Sequence, residues 1–199
     1  MLEDIPSLHN LLKSLQQVPY LASKNLHRVA THFLDMDEKN VERFCALLLA
    51  AKKNVIRCHV CFAWKEKAFD CKFCSDNKRD RSIVCVVETW QELLSIEKTG
   101  GYAGVYHVLG GVICPLDGIG PEDLYIEQLL QRVDSGIKEI IFATNQTPEG
   151  EATAAYISNK LKNKEVALSC LARGIPVGSS LEFMDRLTVY KALSERRPF

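Results

Sequence analysis

The spacing of four cysteines constrains this chain more than any other feature. Cys58-x-x-Cys61 and Cys71-x-x-Cys74 are separated by nine residues. Each CxxC pair puts two thiolates at a tight turn, and the short loop between the pairs brings them together around one tetrahedral ion. A redox CxxC normally stands alone beside a βαβ unit, whereas this stretch holds two pairs and no such context. Four sulfurs fill the coordination shell and leave no place for water, so the expected ion is a structural zinc. Arg57, Lys65, Lys67, Lys72, Lys78, Arg79 and Arg81 accompany the cluster in sequence. They read either as counter-charges to a zinc–thiolate centre of net charge −2 or as phosphate contacts.

On either side of the cysteines the chain changes character, giving a multidomain α+β reading. Residues 1–57 read as helical. Leu8, Leu11, Leu12 and Leu15 recur at helical spacing, with Ser7 as a candidate N-cap and Pro19 as a stop. A second helix is expected over Ser23–Leu34, with Leu26, Val29, Ala30 and Phe33 on one face. A third is expected over Lys39–Ile56, with Val41, Phe44, Cys45, Leu48 and Val55 turned inward. Residues 58–81 form the cysteine segment and a linker. Residues 82–177 alternate strands (Ile83–Val87, Val105–Leu109, Glu139–Ala143, Val166–Leu171) with helices (Trp90–Lys98, Glu122–Val133, Glu149–Leu161). That alternation implies a parallel sheet with helices on its faces. Residues 178–199 form a short C-terminal segment with a helix over Leu187–Arg196.

Composition narrows the function classes. Lys+Arg and Asp+Glu both number 25, so the formal net charge is zero, which excludes a protein basic over its whole surface. The zero is a sum of opposites: +2 over residues 1–57, +2 over 58–81 and −4 over 82–199. No apolar stretch approaches the ~20 residues of a membrane span, and Met1–Asn10 lacks a basic region followed by an apolar run. The expectation is a soluble cytoplasmic protein with no membrane partner, in a compartment where clustered cysteines bind metal rather than form disulfides. The other four cysteines, Cys45, Cys85, Cys114 and Cys170, lie in apolar surroundings and read as packed thiols. Glu88 stands at the end of a strand, where open parallel sheets hold ligands, and Glu149 and Glu151 follow the strand ending at Ala143. These carboxylates read either as a weak Mg²⁺ site or, for Glu149 and Glu151, as the favoured negative charge of a first helical turn.

Four blocks carry a resemblance to a known family. They are the cysteine cluster followed by Ser75-Asp76-x-x-Arg79-Asp80; Tyr106-His-Val-Leu-Gly-Gly-Val112 running into Pro115-Leu-Asp-Gly-Ile-Gly-Pro-Glu-Asp-Leu124; Ala143–Ala155; and Leu171-Ala-Arg-Gly-Ile-Pro-Val-Gly178. In this order they resemble the RecR family of bacterial recombinational-repair proteins over essentially the whole chain. The resemblance implies a helix-hairpin-helix domain, a four-cysteine zinc finger, a Toprim domain and a short C-terminal segment. It implies dimers and ring-like tetramers that act on DNA with RecO, and in some lineages RecF, to help load RecA onto single-stranded DNA. It also implies Lys24 and Arg28 as DNA contacts; the residues alone also allow a solvated helix face.

Two departures from the family pattern stand out. The family hairpin reads Pro-Gly-Val-Gly-Pro-Lys, whereas this chain reads Pro19-Tyr-Leu-Ala-Ser-Lys24, with Tyr20 and Ala22 in place of both glycines. Catalytic Toprim enzymes pair a Glu with Asp-x-Asp. Glu88 matches the Glu, but Asn145 and Thr147 stand where the aspartates would be, and Asn145 matches the RecR pattern. The resulting expectation is a protein that is not an enzyme; the competing one is a Mg²⁺-dependent Toprim nuclease or primase.

Overall fold

Proline decides where the first helix starts and where the chain first turns. In the computed structural model, which describes residues 5–172 and 174–196, helix α1 spans Pro6–Gln16 with Pro6 in its first turn. Proline suits that place because its fixed φ is already helical and its missing N–H would have no partner there. Ser7 therefore lies inside the helix, and Ile5 takes the capping position without a side-chain bond, contrary to the expected serine cap. The chain then turns at Pro19 and Tyr20, closed by the Leu21 amide donating to the Val18 carbonyl at 3.3 Å. Tyr20 sits at φ 64°. A proline second and a positive φ third are the marks of a type II turn, which favours glycine at the third position. A tyrosine there costs on the order of 1 kcal/mol, and its fully exposed ring returns no packing.

Helix α2 (Ser23–Leu34) and helix α3 (Glu38–Asn54) follow. Ala30 of α2 and Leu12 of α1 are buried, and Phe33 meets Phe44 of α3 at 5.1 Å between ring centres. The expected inward face of α3 needs correction. None of its residues is buried; Phe44, Leu47, Leu48 and Leu49 are largely exposed, and so is Cys45. Helices α1 and α2, of 11 and 12 residues, carry too little surface to cover the 17-residue α3 as well as each other. The chain separates into two compact units, Met1–Val55 and Ile56–Phe199.

Helix α3 stops at Asn54, short of the expected Ile56, because the β-branched pair Val55–Ile56 opens an extended segment instead. Strand β1 (Val55–Arg57) pairs with β2 (Trp64–Glu66) around the first two cysteines. The second sheet contains β3 (Asp80–Val87), β4 (Gly104–Val108), β5 (Glu139–Phe142) and β6 (Ala167–Cys170), all parallel, in the order β4-β3-β5-β6. Helices α4 (Trp90–Glu97), α5 (Ile126–Val133) and α6 (Pro148–Lys160) connect the strands. Thr89-x-x-Glu92 forms a capping box at the start of α4. Helix α5 begins four residues later than expected, because Pro121–Asp123 forms a separate 3₁₀ turn held by the Gly120 amide on Asp123. Helix α7 (Arg186–Ser194) closes the chain.

Alternation along the strands sorts the core into two layers. Val84, Val86 and Val105 join Leu129, Val133, Ile157 and Leu161 on the face covered by α5 and α6. Cys85, Val87, Tyr106 and Val108 join Leu93 of α4 on the other, together with Cys58, Cys61, Cys71 and Phe73. The cysteine segment thus covers sheet surface that a helix would cover in a regular α/β fold. Of the four cysteines expected to be packed thiols, only Cys85 is buried, where loss of solvent pushes its thiol up to about 12. Cys45 and Cys170 are exposed and Cys114 is half-buried, the first on the uncovered helix α3 and the second on the edge strand β6.

His107 on β4 is wholly buried. Its Nε2 lies 2.7 Å from the Tyr125 carbonyl and its Nδ1 lies 3.2 Å from Arg132 Nη1. Nε2 therefore donates and Nδ1 accepts. Burial first, and the Arg132 charge second, push its pKa down to about 3. A depressed folded pKa gives stability that is complete above the unfolded value of about 6.5 and is lost as pH falls towards the folded one. Urea unfolding should accordingly show stability falling by up to about 1.4 kcal/mol per unit below pH ~6.5. His107→Gln should flatten that slope; an unchanged slope would assign it to other groups.

Candidate metal centre and carboxylate cluster

The four cysteines converge as their spacing requires. Their sulfurs all lie within 4.8 Å of one another, and no other group of three or more His, Cys, Asp or Glu ligand atoms clusters so closely among the described residues. Cys61 Sγ is 3.5 Å from Cys71 Sγ, and Cys58 Sγ is 3.9 Å from Cys74 Sγ. Metal–sulfur bonds of about 2.3 Å in a tetrahedron place sulfurs about 3.8 Å apart, so the donor set fits one ion with little movement. The Val60 amide donates to Cys58 Sγ at 3.4 Å, a contact that stabilises a thiolate within its own turn. Hydrogen bonds from Cys61 and Cys74 pull the Cys71 thiol down, while its bond to Cys71 pushes Cys61 up.

The cations in this segment have separate roles. Arg79 is committed to the fold: Nη2 bonds Glu97 at 2.8 Å, Nη1 bonds the Gly104 carbonyl at 3.0 Å, and the guanidinium lies over Phe73. Burial opposes ionisation of Glu97, but its bonds from Arg79 and Tyr106 outweigh that and hold its carboxyl below the usual range. Arg57 donates to the Phe62 carbonyl at 3.0 Å and lies 4.3 Å above the Trp64 ring. Lys65 donates to the Phe69 and Glu66 carbonyls, and Lys72 lies against Phe73. Lys67, Lys78 and Arg81 are exposed. Arg132, which the sequence did not single out, is half-buried on α5 and feels the field of the cysteines. Burial lowers its pKa, and the field of Cys74, Cys61 and Cys58 opposes that.

A second cluster lies at the end of β3. Glu88 is buried, and its two oxygens accept from the Asn145 backbone N–H at 2.6 Å and from Asn145 Nδ2 at 2.7 Å. Asn145 Nδ2 also reaches Glu92 Oε1 at 3.3 Å. Burial opposes ionisation of Glu92, but bonds from Thr89 and Asn145 hold it below the usual carboxyl range. Gly150 makes this arrangement possible: a Cβ there would strike the Asn145 carbonyl and come within 2.7 Å of Glu88 Oε1. Glu149 and Glu151 occupy the first turn of α6, which Thr147 caps through the Gly150 amide at 3.1 Å. Glu151 pairs with Lys191 of α7 at 3.1 Å. In the N-terminal unit, Lys24 and Arg28 are exposed one turn apart on α2. The sequence marked Asn145 only as a missing aspartate and did not reveal its bonds. Glu92 was not singled out either, although Thr89-x-x-Glu92 is the spacing of a capping box.

Family models agree with this geometry. Residues 82–172 match the Toprim domain, and residues 174–197 match the RecR C-terminal model. The chain is 42% identical over 195 residues to Recombination protein RecR of Syntrophobacter fumaroxidans, covering 98% of this chain and 96% of that protein. It is 43% identical over 191 residues to Recombination protein RecR of Chlorobaculum tepidum, covering 94% of each. The chain belongs to the RecR family. The longest RecR-like block, Tyr106–Leu124, contains the last three residues of β4 and the loop after it, where Tyr106 bonds Glu97 at 2.7 Å and the Leu109 carbonyl accepts from the Tyr125 amide at 2.9 Å. Arg173 of the fourth block lies outside the described residues.

Because Cys58, Cys61, Cys71 and Phe73 share a core with the sheet, the metal should support more than its own loop. Metal analysis should find one equivalent per chain, and Cys58→Ser should lower the thermal midpoint of the whole C-terminal unit by several degrees. Loss of metal with an unchanged midpoint would make the centre a local ornament.

Proposed function

We propose that this RecR-family chain is a non-enzymatic accessory protein of recombinational DNA repair. In this reading it is a cytoplasmic, zinc-containing protein that binds DNA as a dimer or ring-like tetramer. It acts with RecO, and in some lineages RecF, to promote loading of RecA on single-stranded DNA. Near-full-length likeness to proteins named for recombination carries the reading.

Particular residues support its parts. From Ile5 to Leu34 the chain has Lys13, Lys24 and Arg28 and no acidic residue, so this stretch carries a net positive charge suited to phosphates. Four thiolates make the metal zinc in preference to a hard cation such as Mg²⁺. The Asn145 side chain donates to Glu88, a place a cation would occupy between two carboxylates. An amide there satisfies Glu88 without metal, which favours a structural Toprim centre over cleavage through Glu88 and Glu149. Apolar side chains exposed on α3 (Phe44, Leu47) and α7 (Leu187, Tyr190) favour burial against further copies of the chain.

Anisotropy titration with DNA should show affinity that falls steeply with salt, because phosphate contacts release counterions. Lys24→Glu with Arg28→Glu should weaken binding about tenfold or more and reduce that salt dependence. Plasmid incubated with Mg²⁺ or Mn²⁺ should stay intact. Absence of binding at low salt with and without RecO would sink the DNA reading, and cleavage abolished by Glu88→Gln would replace it with an enzyme.

A further inference from the structure

Tyr20 has no role in the fold that would account for it. Its ring is fully exposed, its backbone is left-handed, and the turn it occupies would be relaxed by glycine. An outlier of this kind points to a use outside the folded chain. It lies in a thirty-residue stretch, Ile5–Leu34, whose only formal charges are those of Lys13, Lys24 and Arg28. Lys24 is four residues on, so its Cα lies within about 14 Å of that of Tyr20, a span of a few nucleotides. Replacing glycine with tyrosine weakens a hairpin for close backbone approach to phosphate, since a Cβ stands in the way. The same change adds a flat, exposed aromatic face, and every unpaired nucleobase can stack on one.

We propose that Tyr20 is a base-stacking contact for single-stranded DNA, with Lys24 and Arg28 holding the adjacent phosphates. The turn thereby exchanges backbone recognition of phosphate for side-chain recognition of an unpaired base. Duplex DNA, whose bases are already stacked, gains nothing from the ring. The inference rests on the DNA-binding reading above and adds to it a preference for single strands.

The test uses the full-length protein and three probes: an oligothymidylate of about 30 nucleotides, an abasic strand of the same length, and a duplex. Tyr20→Phe keeps the ring. Tyr20→Gly removes it while relieving the backbone, so loss of binding cannot be blamed on a weakened fold. Tyr20→Gly should weaken oligothymidylate binding about tenfold, leave the abasic strand and the duplex within about twofold, and leave the salt slope unchanged, because no charge is removed. Tyr20→Phe should bind all three as the unmodified protein does. Oligothymidylate affinity unchanged in Tyr20→Gly, or reduced equally on the abasic strand, overturns the stacking role. If Lys24→Glu with Arg28→Glu weakens all three probes in that case, the DNA reading survives and only the stacking inference fails. If the unmodified protein binds none of the probes at low salt, with or without RecO, both fail.

Discussion

A sheet edge normally offers unpaired backbone groups to solvent or to another chain. Strand β4 is such an edge, yet all five of its residues are buried. The cysteine segment covers one side of it, and Arg132 of α5 donates to the Tyr106 carbonyl at 2.8 Å. The Val108 amide donates to the Cys61 carbonyl at 2.8 Å, so a residue of the four-cysteine cluster and the edge strand share a backbone bond. Beside that bond, Phe62 stacks on Tyr125 at 4.0 Å and meets His107 edge-on at 5.3 Å. Phe73, between Cys71 and Cys74, packs edge-on against Tyr106 and Trp90. The aromatic residues between the cysteines therefore anchor the finger, while the cysteines fix the aromatics in place. Charge follows the same junction, since Arg79 ties the end of the cysteine segment to Glu97 and Gly104.

This dependence explains the division of labour along the chain. A finger that is part of the sheet's covering is suited to rigidity, and the carboxylate cluster on the same sheet is likewise self-contained, with Glu88 answered by Asn145 and Gly150 allowing their close approach. The exposed aromatic and apolar side chains belong to other elements: Tyr20 at the first turn, Phe44 and Leu47 on α3, and Leu187 and Tyr190 on α7.

Much of the architecture was legible before the fold was known, because strong periodicity and ligand spacing are local properties. The parallel strands and the four-cysteine cluster belong to that class; the one cap read from the sequence, Ser7, does not. Glu88 was also marked by its place at a strand end. Less legible was anything that depends on what lies opposite. Periodicity gives α3 an apolar face without saying whether the unit has enough surface to cover it, so Phe44 and Leu48 were assigned inward and lie outward. Cys45 and Cys170 were misplaced for the same reason. The donor role of Asn145, the bonds of Arg132 to the Tyr106 carbonyl and His107, and the use of Phe62 as an anchor needed residues distant in sequence to be brought together. Tyr20 was visible as a departure from a glycine pattern, but not that it keeps the glycine's left-handed backbone.

Hydrogen exchange at the β4 amides, with the metal bound and after its removal by chelation, tests the dependence of the sheet on the finger. The account predicts that Val108 and its neighbours on β4 lose protection together with the cysteine loop, while β5 amides in the sheet interior lose less. Full protection of β4 in a metal-free protein whose finger exchanges freely would contradict it.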